Sequence, residues 1–448
     1  MQYSLRAQPF KVHSTLYKPL NDWPTWGPSI ARYQARPTSP VLATFSKADK
    51  HVLVANYANG ILVVPDFTQV TQHPSETSTE NLTVISLDFN PTCDGEDLEI
   101  VVGFSAGPVL IFDPLKRKRG RLLWLNSGKP SNYSKRPVSL VRWVTLRSDE
   151  IVVVFEDSTM WRLSKNYSNE DEKAISKLLS QLKEAGSISD FVVFTSADPN
   201  SNPVSVWKFQ CEKITDLRFV PTSSVNPRSQ NMFALTTSAG EVKLYDFYRH
   251  TAILTLQSYF AGLNALSWSL DGRYVVAGGE DDCVSMWDVE SPRLVFRGEG
   301  HNSWVSAIAF DYSVSAENEH MYRFFSAGQD GHLLVWEITP DSFPMYRKGS
   351  INSPLMESES PSPKREHVKV LPYPSRFEIP RLECLVDVAV GSEPLLGIAV
   401  EQNNVFTIDM SGLIQQWTVQ PEPRAAERIP DSPTVATSQD QTQAEEVS

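Results

Sequence analysis

The stretch ALSWSLDGRYVVAGGEDDCVSMWD at residues 265–288 is followed by a second copy of the same pattern, WVSAIAFDYSVSAENEHMYRFFSAGQDGHLLVWE, at residues 304–337. In each copy β-rich runs alternate with tight turns, and the last run closes on Trp and an acidic residue. Short apolar runs bounded by turn residues are typical of antiparallel strands. The two stretches therefore predict consecutive repeats of β-sheet.

Weaker copies of this pattern occur along the whole chain. Identified by the closing residue, the copies end at Pro65, Phe112, Trp161, Tyr245, Trp287, Trp336 and Trp417. In most of them a glycine lies five positions before the closing residue, where a β-hairpin turn needs a residue that tolerates positive φ. Closing Trp-Asp pairs are typical of WD repeats, so the sequence predicts an all-β WD40 propeller of seven blades.

Two of the intervals between closing residues are about twice the length of a blade. They are 84 residues from Trp161 to Tyr245 and 81 residues from Trp336 to Trp417, against roughly 40–45 for a four-stranded blade. We place insertions at 164–203 and 339–381. The second is rich in Ser and Pro, which favours a mobile loop over strands. An eighth blade within the first stays open.

The ends of the chain complete the predicted organisation. The last repeat lacks an outer strand, and we expect the N-terminal segment, residues 1–40, to supply it from within 8–17 and so close the ring formed by 41–420. The tail at 421–448 is rich in Gln, Glu, Ser, Thr and Pro. We expect it to be disordered.

Composition excludes several function classes. The 41 basic and 53 acidic residues give a net charge of −12, which disfavours nucleic acid as the main partner. No apolar run predicts membrane insertion or a signal peptide. We therefore expect a cytoplasmic protein, with the nucleus as an alternative because the basic run at 116–121 is either a nuclear localisation signal or a solvated loop. The cysteines, which are Cys93, Cys211, Cys283 and Cys384, lack metal-site spacing and are predicted to be reduced core thiols.

A hydroxyl, an imidazole and a carboxylate suggest a hydrolase triad at Ser326, His301 and Asp330. The same residues, with Trp336, occupy the positions at which WD blades form a buried hydrogen-bonded network. We favour the structural network, because no other catalytic motif is present. The sequence therefore predicts no catalytic site, no metal site and no cofactor, and the pair Asp281 and Asp282 is predicted to cap a turn.

Large aromatic residues lie in two short loops that lead into the first strands of predicted blades five and six. These loops contain Tyr259 and Phe260, and Ser303 and Trp304. Both insertions follow third strands and are predicted to lie on the opposite face. Exposed aromatic residues are typical of protein-binding hot spots, so we predict partner binding by these four residues, with packing into the blade as the alternative for Tyr259.

Several motifs in this region resemble one family. The motifs YFxGL at 259–263, GGEDD at 278–282 and HxSWV at 301–305 are similar to those of the fungal CreC family and its animal WD-repeat relatives. The resemblance covers roughly 85–419 and is dense in 202–311. It implies a non-enzymatic regulatory subunit that binds and activates a ubiquitin-specific protease, with a second WD-repeat protein as a further partner. Ser362 before Pro363 is a phosphorylation candidate that could control such binding.

Two other function classes stay open. A substrate receptor of a cullin ubiquitin ligase often carries Trp-Asp-x-Arg, whereas this chain has Trp287-Asp288-Val289-Glu290. A general assembly scaffold would bind proteins without a link to ubiquitin. A pull-down that asks whether a protease co-purifies separates these hypotheses.

Overall fold

Short apolar runs separated by tight turns form strands throughout the described part of the chain, and most of these strands pair antiparallel. The structure is a computed structural model. It describes residues 3–7, 42–47, 50–57, 60–64, 75–78, 84–93, 98–105, 107–113, 115, 123–124, 137–169, 177, 180–181, 190–198, 200–221, 229–317, 321–339, 368–374, 379–401, 404–411 and 413–421. Within those residues lie strands β1 to β33 and the short helix α1 (Tyr312–Glu317), and residues 177, 180 and 181 are also helical.

Seven sheets of four or five strands, numbered here in chain order, contain most of these strands. The first three consist of β2 (Leu42–Lys47), β3 (Lys50–Tyr57), β4 (Gly60–Val64) and β5 (Ser75–Ser78); β6 (Val84–Phe89), β7 (Ile100–Phe104), β8 (Val109–Phe112) and β9 (Leu123–Trp124); and β10 (Val138–Trp143), β11 (Glu150–Phe155), β12 (Thr159–Ser164), β14 (Phe191–Thr195) and β16 (Ser205–Phe209). Strands β13 (Ser168–Asn169) and β15 (Ser201–Asn202) form a separate parallel pair.

The next four sheets are built in the same way. They consist of β17 (Ile214–Phe219), β18 (Met232–Thr237), β19 (Glu241–Asp246), β20 (Thr251–Gln257) and β28 (Lys369–Leu371); β21 (Leu263–Trp268), β22 (Tyr274–Gly279), β23 (Cys283–Asp288), β24 (Arg293–Glu299) and β29 (Arg381–Glu383); β25 (Val305–Asp311), β26 (Tyr322–Gly328), β27 (His332–Ile338) and β30 (Val386–Ala389); and β31 (Leu395–Glu401), β32 (Asn404–Asp409), β33 (Ile414–Pro421) and β1 (Tyr3–Ala7). The predicted all-β WD40 propeller is confirmed.

Hydrophobic cores lie between neighbouring sheets. One core joins Trp268 and Trp287 of the fifth sheet to Leu244 of the fourth, and another joins Phe296 of the fifth sheet to Trp336 of the sixth. Each of these Trp side chains is almost completely buried, and a buried aromatic ring removes roughly 150–250 Å² of surface from water. The repeated closing aromatic residue of the sequence is thus the residue that packs sheet against sheet.

In the second to seventh sheets, one edge strand lies nearest the centre of the propeller and is called the inner strand. These inner strands, which are β6, β10, β17, β21, β25 and β31, surround a central cavity of about 450 Å³. Strands β10 and β17 each end on an aromatic residue, and the residue before it lines this cavity. That residue is Arg142 in β10 and Arg218 in β17. Buried Asp216 joins the two arginines: its Oδ1 lies 2.8 Å from Arg142 Nη2 and its Oδ2 lies 3.3 Å from Arg218 Nε. Burial alone would raise the pKa of Asp216, but the two guanidinium groups hold it below its ordinary value.

The N-terminal strand lies nearer the chain start than the sequence predicted. Strand β1 pairs antiparallel with β33, with Tyr3 opposite Pro421 and Ala7 opposite Trp417. The predicted location at 8–17 is therefore wrong for this pairing, and 8–17 lie outside the described residues. The pairing places a strand along the outer edge of the last sheet, which would otherwise present unpaired backbone groups.

Both insertions contribute strands to neighbouring sheets. In the first, β14 pairs with β16 and extends the third sheet, so its described residues form no separate blade. In the second, β28 lies parallel to β20 and β29 lies parallel to β24. The prediction that 339–381 lacks strands is therefore wrong for its described residues, because composition does not reveal that open sheet edges nearby can pair with them.

Candidate functional site

The aromatic residues predicted to bind a partner lie in the loops that connect the outer strand of one sheet to the inner strand of the next. Phe260 lies between β20 and β21, and its residue surface is 71% exposed. Trp304 lies between β24 and β25 and is 43% exposed. Asn264 Nδ2 donates to the backbone O of Val305 at 3.3 Å, which links the strands that follow the two loops. The structure therefore places both aromatic residues at the same end of neighbouring sheets.

The loop that carries Phe260 is tightly packed beneath its exposed ring. Ala261 adopts a left-handed backbone conformation, with φ of 58°. Its carbonyl accepts a hydrogen bond from Ser258 Oγ, and a Cβ at Gly240, where φ is +82°, would lie 2.3 Å from the same carbonyl oxygen. On the other side the Glu280 amide donates to the Gly262 carbonyl at 2.9 Å. The backbone around Phe260 is thus confined by the hairpins of two sheets.

The loop that carries Trp304 is held by one acidic side chain. Asp330 Oδ2 accepts a hydrogen bond from the Asn302 amide at 2.8 Å. The Trp304 carbonyl accepts one from the Gln329 amide, also at 2.8 Å. Ser303 lies half-buried between these anchored residues. A loop fixed in this way presents its aromatic side chain at a small entropic cost to binding.

His301, Ser326, Asp330 and Trp336 form one hydrogen-bonded network. Asp330 Oδ2 lies 3.1 Å from His301 Nδ1, His301 Nε2 lies 2.8 Å from Ser326 Oγ, and Trp336 Nε1 donates to the same Ser326 oxygen at 2.8 Å. A carboxylate only accepts, so Nδ1 donates to Asp330 and Nε2 can accept the Ser326 hydroxyl proton. Ser326 is fully buried. No substrate could reach it in this arrangement.

Burial alone would raise the pKa of Asp330, but hydrogen bonds from His301 and from the Asn302 and His332 amides lower it to about 2. An aspartate whose pKa is depressed in the folded state stabilises the fold above its ordinary pKa of about 4. That contribution is lost as the pH falls from about 4 to 2. The network is therefore an acid-sensitive element of the sixth sheet.

We predict that Ser326→Ala lowers the free energy of unfolding by about 1–3 kcal/mol, because it leaves the buried Trp336 N–H and His301 Nε2 without their shared partner. Denaturant unfolding measures this loss. Thr407→Ala is the comparison variant, since Trp417 Nε1 donates to Thr407 Oγ1 at 3.1 Å without an imidazole in the pair, and it should cost less, about 0.5–1.5 kcal/mol. A fully stable Ser326→Ala protein that had lost a hydrolytic activity would contradict the structural role.

Tyr259 differs from Phe260 because its ring packs against two other side chains. The Arg297 guanidinium carbon lies 4.1 Å from the centroid of the Tyr259 ring, and the Tyr373 ring centroid lies 5.5 Å away. Tyr259 is still 41% exposed. Sequence reasoning missed Arg297 and Tyr373, because Tyr373 comes from the insertion at 339–381. The prediction that this insertion lies on the opposite face is wrong for Tyr373, whose ring lies beside Tyr259.

An open groove of about 980 Å³ begins at Phe260. Its walls include Lys208 and Glu212 from the end of the third sheet and Gly240 and Glu241 from the hairpin of the fourth. Tyr259 and Phe260 also line the groove. Aromatic residues are enriched at protein–protein interfaces, so these two rings favour protein binding at the groove.

The remaining predicted sites give a mixed result. Asp281 caps a turn, because its Oδ1 accepts a hydrogen bond from the Cys283 amide at 3.2 Å. Burial raises the pKa of Asp281 to about 6.

The described residues contain no group of His, Cys, Asp and Glu side chains that could hold a metal ion. Among their helices none is long and apolar enough to cross a membrane. All four cysteines are free, and Cys93 and Cys283 are buried. Ser362, the basic run at 116–121 and the tail at 422–448 lie outside the described residues.

Comparisons with known proteins agree with the fold. Residues 251–288 and 292–337 match the family described as WD domain, G-beta repeat. The UBP9-binding protein bun62 of Schizosaccharomyces pombe is 26% identical over 350 residues, which are 71% of this chain and 61% of that protein. The WD repeat-containing protein 20 homologue of Caenorhabditis elegans is 26% identical over 227 residues, 49% of this chain and 28% of that protein.

The chain thus matches less than two thirds of the length of either relative. The two names nevertheless agree with the resemblance that the motifs at 259–305 carry. The resemblance is confirmed: this chain carries WD repeats and is similar to the UBP9-binding protein bun62 and to the WD repeat-containing protein 20 homologue.

Proposed function

We propose that this chain is a non-enzymatic WD-repeat regulatory subunit that binds a ubiquitin-specific protease and raises its activity. The observation that carries the proposal is the pair of exposed aromatic residues, Phe260 and Trp304, on rigid loops at one end of the propeller. The name of the Schizosaccharomyces pombe relative, which states binding to UBP9, supports the partner class. A second WD-repeat protein is proposed as a further partner of the same protease.

The proposal includes a detailed architecture for the docking surface. We propose that each sheet of four or five strands forms one blade of a seven-bladed ring over 41–420. The pairing of β1 with β33, which supplies an outer strand to the last sheet, supports this arrangement. In such a ring Phe260 precedes the fifth blade and Trp304 precedes the sixth. The two side chains then lie on one continuous face, together with the groove beside Phe260.

Activation without catalysis requires differential binding. A regulatory subunit raises activity only if it binds the active arrangement of the protease more tightly than the inactive one. A tenfold activation corresponds to about 1.4 kcal/mol of difference between those two affinities. A rigid docking face supports this mechanism, because loops that are already ordered can select one arrangement of the partner.

The test is a pull-down with the full chain followed by a ubiquitin-cleavage assay. The chain alone should cleave no ubiquitin substrate, and its addition to a UBP9-type protease should raise kcat/KM. Co-purification of a cullin ligase adaptor in place of a protease would favour the substrate-receptor alternative. Binding of the protease without any change in its activity would reduce the proposal to a scaffold.

A further inference from the structure

The insertion between the third and fourth strands of the sixth sheet returns along the outer edges of two other sheets. We define residues 368–374 and 379–385, which are described parts of this insertion, as the return segment. Strand β28 pairs with Leu254 to Leu256 of β20, and β29 pairs with Arg297 to Glu299 of β24. Both pairings are parallel, so the return segment runs twice toward the end of the propeller that carries Phe260.

The return segment is anchored in the packing between the fourth and fifth sheets. Ile379 is 8% exposed and belongs to the core that contains Leu254 and Leu294. The Arg297 amide donates to the Pro380 carbonyl at 3.0 Å. These contacts hold the segment after Tyr373, and the pairing of β28 with β20 holds it before Tyr373.

Tyr373 completes a cluster of three side chains at the loop 258–262. The Arg297 guanidinium lies over the Tyr259 ring, and the Tyr373 ring packs on Tyr259 at an interplanar angle of 53°. Arg297 is itself fixed, because its Nε lies 3.2 Å from Cys283 Sγ and its Nη2 lies 3.1 Å from Glu299 Oε1. Cation–π and ring contacts of this kind favour one orientation of the Tyr259 ring.

We propose that Tyr373 is a positioning residue: by packing on Tyr259 it holds the loop at 258–262 in its docking conformation, so that the insertion at 339–381 sets affinity for the partner. This inference rests on the proposed function. Phe260 follows Tyr259 directly, so freedom gained by the Tyr259 side chain spreads to the residue that contacts the partner. Ordering a freed side chain again on binding weakens affinity about 3- to 10-fold.

The test compares variants of the full chain by isothermal titration with the ubiquitin-specific protease. Tyr373→Ala should raise Kd about 3- to 10-fold, and Tyr373→Phe should keep the affinity of the unaltered chain because the ring remains. Val370→Ala is the matched control, since Val370 lies on β28 in the same segment, is 52% exposed and is not one of the three side chains of this cluster. Tyr373→Leu, which keeps apolar burial without a ring, replaces the alanine variant if that variant unfolds.

Hydrogen exchange gives a readout that does not need the partner. The amides of 258–262 should exchange faster in Tyr373→Ala than in Tyr373→Phe, while those of the third sheet stay unchanged. Unchanged Kd and unchanged exchange in a folded Tyr373→Ala protein would overturn the inference and leave the proposed function intact. Absence of protease binding by the unaltered chain would instead overturn the proposed function, and the exchange result would still judge the role of Tyr373 in the loop.

Discussion

Alanine at Phe260 or Trp304 is expected to weaken binding to the ubiquitin-specific protease about 30- to 1,000-fold, while the fold survives. This corresponds to about 2–4 kcal/mol for each side chain, the range for aromatic hot-spot residues. The fold should survive because both rings are exposed, with Phe260 at 71%. Isothermal titration with the purified protease measures the loss, and thermal unfolding checks the fold.

Leu146→Ala is the control for this result. Leu146 is also an exposed apolar residue, but it lies between β10 and β11. This position is at the opposite end of the strands from the loops that carry Phe260 and Trp304. Its replacement should change Kd by less than threefold. If the Phe260 and Trp304 variants bind as tightly as the unaltered chain, the assigned face is wrong, and the face at the Leu146 end becomes the candidate.

The second large effect is expected at the centre of the propeller. Asp216→Ala should lower the free energy of unfolding by about 3–5 kcal/mol, because it leaves the Arg142 charge buried without its partner. Arg142 also donates Nε to the Leu217 carbonyl at 3.0 Å, so its side chain cannot swing out to water without breaking further bonds. Denaturant unfolding at neutral pH measures the change.

A control variant and a series of unfolding measurements at different pH test whether the Asp216 ion pair causes this loss of stability. Arg249→Ala removes an ion pair with Asp246 in which the Arg249 side chain is 82% exposed, and it should cost at most about 1 kcal/mol. Because the pKa of Asp216 is depressed in the folded state, its stabilisation should be present above about pH 4 and disappear in more acidic solution. Equal stability of the Asp216 and Arg249 variants at neutral pH would show that the central ion pair does not stabilise the fold.

The sequence pattern was sufficient for the fold class because it is local. Hairpin turns need glycine at one position, and alternating side chains direct every second residue to a sheet interface. Trp287 and Trp336 recur at the ends of strands for this reason, and the structure buries both between sheets. The residues of the network that includes Ser326 and Asp330 could be named from the same register, because the repeat fixes which positions face each other.

Contacts between segments distant in sequence could not be predicted in this way. Tyr373 lies 114 residues from Tyr259, and no spacing rule relates an insertion to a loop two sheets away. Arg142 and Asp216 belong to different inner strands and meet because the sheets are arranged around one cavity. The N-terminal strand shows the same limit: a missing outer strand was predictable, but its position at Tyr3–Ala7 depends on pairing with β33.

By itself the sequence determined the WD-repeat sheets, the buried closing aromatics and the exposed loops with Phe260 and Trp304, since each depends on residues close together in the chain. Only the tertiary structure decided that β28 and β29 cover sheet edges, that Tyr373 packs on Tyr259 and that Asp216 lies between two arginines. The physical reason is that a sheet edge or a buried charge accepts any partner of suitable geometry, and which one it meets is set by the path of the whole chain.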